Sequence, residues 1–103
     1  MVLTVLEAQV PPGGEAALQA AYATTVRGSM LPPGLVHTEL LRDTRDSARW
    51  RIQTWWSSRE ALDAVRSAGT PAGVLMFRAA GAEPVLAIFE VVNALEKKDV
   101  GRP

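Results

Sequence analysis

Along residues 49–56 apolar and polar positions alternate with a period of two. Trp50, Ile52, Thr54 and Trp56 fall on one side, and Arg49, Arg51, Gln53 and Trp55 on the other. Alternation of this kind, rich in aromatic and β-branched residues, predicts a strand with one buried face. Ser57-Ser58-Arg59-Glu60 follows and fits a capping box in which Ser57 caps and Glu60 reaches back, so the strand should run directly into a helix. Residues 2–10 predict an earlier strand, with Val2, Thr4, Leu6, Ala8 and Val10 on one face and Leu3, Val5, Glu7 and Gln9 on the other. Pro11-Pro12-Gly13-Gly14 ends it. From Glu15 the period becomes helical, placing Leu18, Ala21, Tyr22, Thr25 and Val26 together, with Gly28 as the stop.

After the Pro32-Pro33-Gly34 turn, residues 35–42 predict a strand with Val36, Thr38 and Leu40 on one side, opposite Leu35, His37, Glu39 and Leu41. A polar hairpin loop, residues 43–47, leads into the central strand. The helix after Ser57 should bury Ala61, Leu62 and Val65 and end at Gly69. Thr70-Pro71 reads as an N-cap with proline at the first position of another helix, which carries Val74, Leu75, Phe77 and Arg78 and closes at Gly81. Residues 84–92 form a last strand that is apolar on both sides. The resulting order, β-α-β-β-α(α)-β, implies an α+β fold: a ferredoxin-like, four-stranded antiparallel sheet with its helices on one face. The helices should cover the even positions of the first three strands and Val85, Ala87, Phe89 and Val91 of the last. The opposite face would hold Leu86, Ile88 and Val92 among Leu3, Val5, Leu35, Leu41 and Trp55, too apolar to be left in water. A homodimer through that sheet face is the expected solution. Residues 1–94 read as one domain and 95–103 as a loose tail.

Composition narrows the function by exclusion. At 103 residues, 48% hydrophobic and 21% charged, the chain has the make-up of one folded domain. Eleven basic residues balance eleven acidic ones, so no charge excess points to nucleic acid. The absence of cysteine and the single histidine leave no disulfide framework, no thiol nucleophile and no zinc spacing. No signal-peptide layout and no apolar run near the ~18 residues of a membrane span are present, so a cytoplasmic protein is expected. Phosphate-loop and serine-hydrolase motifs are likewise missing.

Together these residues resemble the antibiotic biosynthesis monooxygenase-like family of the dimeric α/β barrel superfamily. The similar features are the Pro11–Gly14 turn, Leu31-Pro-Pro-Gly-Leu35, Leu40-Leu-Arg-Asp43, Thr54-Trp-Trp56 with Ser-Arg-Glu-Ala-Leu62, and Glu83-Pro84 before the closing strand. The resemblance implies two facing sheets in a homodimer and a pocket in each subunit between sheet and helices. It also implies chemistry drawn from cofactor-independent oxygenases of quinol-like polyketides, haem degradation and aldehyde or ketone handling. Many members carry a histidine on the helix after the tryptophan, where this chain has Val65-Arg66, and haem-degrading members use an asparagine on the first strand, which residues 2–10 lack. Haem degradation is therefore disfavoured.

Tyr22, Thr38, Trp50, Thr54, Trp56 and Phe77 are the expected pocket lining, with aromatic walls and few polar groups, although indoles also serve as ordinary core filler. Tyr22, Trp56 and His37 are the candidates for catalysis. His37 is the only imidazole, but its parity puts it on the sheet-to-sheet face, where pairing with Glu39 is the plainer role. Glu7, Arg51 and Glu90 could make a buried proton-handling cluster or a structural network at an interface. Arg66 and Arg78 could meet an acidic ligand or sit on solvated helix faces. Two functions stay open: a cofactor-free monooxygenase acting on a small quinol- or anthrone-like aromatic, and a non-catalytic ligand-binding or structural barrel. Neither calls for a metal, another cofactor, nucleic acid or a membrane.

Overall fold

The computed structural model describes residues 1–28 and 31–96. Most of the expected 95–103 tail lies outside the described residues; Leu95 and Glu96 are exposed and outside any regular element. The elements are β1 (Val2–Gln9), α1 (Glu15–Arg27), β2 (Leu35–Arg42), β3 (Arg49–Trp56), α2 (Arg59–Ser67), α3 (Ala72–Ala79) and β4 (Val85–Glu90). The four strands form one antiparallel sheet in the order β2-β3-β1-β4, with the helices on one face: the ferredoxin-like α+β arrangement.

The pairing register sorts the side chains into rows. On the helix-covered face Leu35, Trp56, Val2 and Glu90 form one row, then Thr38, Thr54, Thr4 and Ile88, then Leu40, Ile52, Leu6 and Leu86. On the open face the rows are His37, Trp55, Leu3 and Phe89; Glu39, Gln53, Val5 and Ala87; and Leu41, Arg51, Glu7 and Val85. β1 and β3 follow their alternation. β2 departs from it, because the register shifts between Leu35 and His37. A bulge opposes an extra residue to one on the partner strand. Leu35 therefore turns toward the helices, while Val36, expected there, is 53% exposed.

β4 has the reverse of the expected parity. Leu86 and Ile88 face the helices, whereas Val85, Ala87 and Phe89 lie on the open face. A run apolar on both sides carries no alternation to tell the faces apart, so register with β1 decides. Val91 lies beyond β4, where its N–H donates to the Met1 carbonyl at 3.0 Å.

Two clusters fill the space under the helices. Leu6, Ala8, Val10, Trp50 and Ile52 of the β1–β3 region meet Leu18 of α1 and Met76, Phe77 and Ala80 of the α3 region. Val2, Trp56 and Leu62 form a second cluster, joined by Leu35, Val65 and Ile88. The caps each sit one residue from their expected places. Ser58, not Ser57, caps α2, its Oγ accepting from the Ala61 N–H at 3.1 Å, and Ser57 instead donates its N–H to the Gly34 carbonyl at 2.8 Å. Pro71 is the N-cap of α3 rather than its first residue, its carbonyl accepting from the N–H groups of Val74 and Leu75. The 43–47 hairpin is tied by Asp43 Oδ1, which accepts from the N–H groups of Arg45 at 2.7 Å and Asp46 at 3.2 Å. No helix among the described residues is long and apolar enough to cross a membrane.

Candidate active site

A cavity of about 120 Å³ lies between the helix-covered face and the three helices, partly open to solvent. Its floor is cut from two adjacent sheet rows, with Thr4, Thr38 and Thr54 beside Leu6 and Ile52, and Trp56 closes one end. The cover comes from Tyr22, Thr25 and Val26 of α1, Leu62, Val65 and Arg66 of α2, and Gly73, Val74 and Met76 of α3. Leu31, Arg66 and Leu86 are exposed lining residues and mark the rim. Gly73 lets α3 come close to the sheet. A Cβ there would stand 2.7 Å from Leu6 Cδ1, so a larger residue would fill the cavity from above.

Strand register creates a polar row in this apolar space. Thr38, Thr54 and Thr4 are cross-strand partners on β2, β3 and β1. The Tyr22 hydroxyl donates to Thr38 Oγ1 at 3.4 Å, and Thr38 and Thr54 hydroxyls share a hydrogen bond at 3.2 Å. Thr4 Oγ1 donates to the Thr54 carbonyl at 3.4 Å and accepts from the Trp56 indole N–H at 3.1 Å. Thr4 and Thr54 are buried, so partners for their hydroxyls matter. This chain of hydroxyls can hold a phenolic oxygen by accepting or donating as its rotors turn, and the indole face supplies an apolar wall for a flat ring.

Of the six expected lining residues, Tyr22, Thr38, Thr54 and Trp56 meet in this cavity. Trp50 and Phe77 lie elsewhere, in the larger core cluster. Trp50 is four residues before Thr54 on β3, about 13 Å along a strand, and there Leu18 and Phe77 fill the space. Its indole N–H has no partner among the described residues, and the Arg42 guanidinium lies 5.5 Å from its ring centre. Ala87, expected beside the threonines, is across the sheet with Val5. So is His37. Its Nε2 lies 3.0 Å from Glu39 Oε2, and its ring packs against Trp55 at 5.1 Å. The sheet separates it from the cavity.

The ionic groups sort as clearly. Glu7 on the open face receives Arg51 Nη2 at 2.6 Å and Nε at 3.0 Å, with Arg49 at 3.8 Å. Glu90 is not part of that group, because its register opposite Val2 puts it in a helix-side row. The Glu7 group is also partly solvated rather than buried. Arg78 donates to Glu83 at 2.9 and 3.0 Å. That contact holds the Glu83 carboxyl below its ordinary range and raises the Arg78 guanidinium. Arg66 is the one charged residue in the described cavity wall, and it has no ion-pair partner among the described residues. The sequence leaves Arg66 between an acidic ligand and a solvated helix face, since nothing in its spacing says which face of α2 overlies a cavity. Among the described residues no cluster of His, Asp and Glu could hold a metal ion.

Solved structures of the same shape are numerous. A candidate antibiotic biosynthesis monooxygenase of Deinococcus radiodurans superposes with a TM-score of 0.73 at 13% identity, covering 94% of this chain and 98% of that one. SnoaB, a cofactor-independent oxygenase from Streptomyces nogalater, gives 0.69 at 19% identity over 93% and 97%. The haem-degrader MhuD from Mycobacterium tuberculosis, with two haems bound in its active site, gives 0.69 at 26% identity over 93% and 100%. No curated protein sequence matches the chain. Residues 1–70, which run from β1 through α2 and carry the threonine row and Trp56, match the model of one family. With that match and the ferredoxin-like sheet beneath it, the chain belongs to the antibiotic biosynthesis monooxygenase family.

Proposed function

We propose that this protein is a cofactor-independent monooxygenase acting on a small electron-rich aromatic of the quinol class. The observation that carries this reading is the Tyr22–Thr38–Thr54 hydroxyl chain set in a mainly apolar cavity against Trp56. The reaction needs no external reductant. A quinol plus O2 gives a hydroxyquinone plus water, with one oxygen atom entering the ring, the other leaving as water, and all four electrons coming from the substrate. The protein's part is to orient the ring, exclude water and fix the phenolic oxygens. Size favours one ring. A cavity of roughly 150 Å³ holds benzene, and this one is about 120 Å³. A tricyclic anthrone would require the rim to widen.

Haem degradation has less support. The α2 residues in the cavity wall, Leu62, Val65 and Arg66, offer no iron ligand. A non-catalytic binding barrel remains the second reading, because no carboxylate or imidazole lines the cavity among the described residues. Replacing Tyr22 by Phe separates the two. A monooxygenase should lose at least about tenfold in turnover, the effect of one lost positioning hydrogen bond, with its thermal midpoint little changed. A wild-type protein that binds quinols in air without forming product is a binding barrel.

The working unit we propose is a homodimer through the open sheet face, with residues 1–94 as the domain and the protein in the cytoplasm. Val85 is 73% and Phe89 52% exposed there, beside Leu41 and Trp55, an apolar surface that a second sheet would cover. Light scattering should give twice the chain mass, and Phe89→Glu should give monomers.

A further inference from the structure

Among the described residues two helical arginines, Arg27 and Arg66, lack an ion-pair partner, and of the two only Arg66 borders the cavity. Arg59 is held by Asp63 at 3.0 Å and Arg78 by Glu83 at 2.9 Å. Among the described residues the rest of the cavity wall is apolar apart from four threonines and Tyr22, so an anion entering would meet one positive charge and no negative one there. A second fact concerns protons. An oxygenase of quinols needs the ionised substrate, since only the anion gives up an electron readily to O2, yet the described wall holds neither carboxylate nor imidazole to accept the proton.

We propose that Arg66 selects a substrate that enters already ionised, a phenolate or enolate, and holds its charge at the rim while the ring lies over the threonine row with Trp56 at one end. This rests on the monooxygenase reading and narrows its substrate to those quinols in which one hydroxyl is acidic enough to be ionised near neutral pH. Ionisation happens in water, and the protein preserves it. A guanidinium fork suits a phenolate or carboxylate oxygen, and the apolar walls strengthen the attraction. The other titratable group in the described wall is Tyr22 of α1, already donating to Thr38. On α2 itself, Asp63 is engaged by Arg59. Arg66 also lies in the last turn of α2, where any cation is favourable, so its replacement must be controlled for stability.

The test uses 4-nitrophenol, a one-ring acidic phenol whose anion is coloured, titrated into the full-length protein under argon across the pH range of its ionisation. The wild-type protein should bind the anion about tenfold more tightly than the neutral phenol, shifting the bound probe's ionisation about one unit toward acid. Arg66→Gln should abolish that preference and Arg66→Lys should restore much of it, with melting temperatures reported for both. A probe that does not bind, that binds better as the neutral phenol, or that keeps its preference in Arg66→Gln overturns the proposal. Failure of the monooxygenase reading looks different: the nitrophenolate binds through Arg66, yet no quinol yields product in air.

Discussion

The indole N–H of Trp56 donates to Thr4 Oγ1 at 3.1 Å, a diagonal contact from the end of β3 to β1. It links the second core cluster to the floor of the cavity, because Trp56 packs with Val2 and Leu62 while Thr4 hydrogen-bonds on to the Thr54 carbonyl. Both side chains are buried. Thr4→Val keeps the shape but leaves the indole N–H unpaired, which costs about 1–3 kcal/mol. Urea unfolding should show that loss, and Thr4→Ser, which keeps the oxygen, should recover part of it.

The junction between β3 and α2 makes a sharper contrast. Ser58→Ala removes the side-chain cap of α2 and should cost about 1 kcal/mol. Ser57→Ala leaves its backbone bond to Gly34 intact and should stay within about 0.5 kcal/mol. Thermal midpoints of the two variants, measured side by side, check this.

Gly34 is held at φ +87°, and a Cβ there would collide with the Cβ of Ala61 on α2. Gly34→Ala therefore meets both a left-handed backbone and a closed space. It should destabilise by at least about 1–3 kcal/mol, with the seating of α2 on β2 disturbed. Gly13, also at positive φ, has open space around it, so Gly13→Ala should cost less.

Acid should weaken the fold through two surface carboxylates. Asp46 is held below its ordinary 3.8 chiefly by the Gln9 side-chain hydrogen bond and then by the Ala48 N–H. Glu83 is held below 4.5 chiefly by the hydrogen bond from Arg78. A carboxyl depressed on folding contributes stability that is present above its unfolded value and is lost as pH falls through its folded one. The melting temperature should be insensitive to these groups above about pH 5 and decline below pH 4. Asp46→Asn, which still accepts from the Ala48 N–H but does not titrate, should flatten part of that decline.

The legible parts of this fold were those where one side of an element was polar. β1 and β3 carry Glu7, Gln9, Arg49, Arg51 and Gln53 on one face, so their orientation follows from alternation, and with it the row of Thr4, Thr38 and Thr54. β4 has no such marker: Leu86 and Phe89 are equally apolar, and only pairing with β1 decides which turns inward. The bulge at Val36 is hidden for a related reason, since Leu35 and Val36 are interchangeable in a hydrophobic pattern. The same limit explains the site. Tyr22 and Trp56 could be placed from the faces they occupy, but Trp50 and Phe77 share those faces and pack further along the sheet, a distance that parity does not encode. For Arg66 the choice between an acidic ligand and a solvated face stayed open in the sequence, because it depends on what α2 covers.

On the proposed function the cavity binds a small quinol and lets it react with O2. The most direct measurement is a titration of the protein with a one-ring quinol, in air and under argon, following tryptophan emission and product together. Saturable quenching is expected in both gases, because Trp56 lines the cavity. Hydroxyquinone is expected in air alone, at one O2 consumed per product. Quenching with no protein-dependent product in air, or product formed as fast without the protein, would contradict the proposed function.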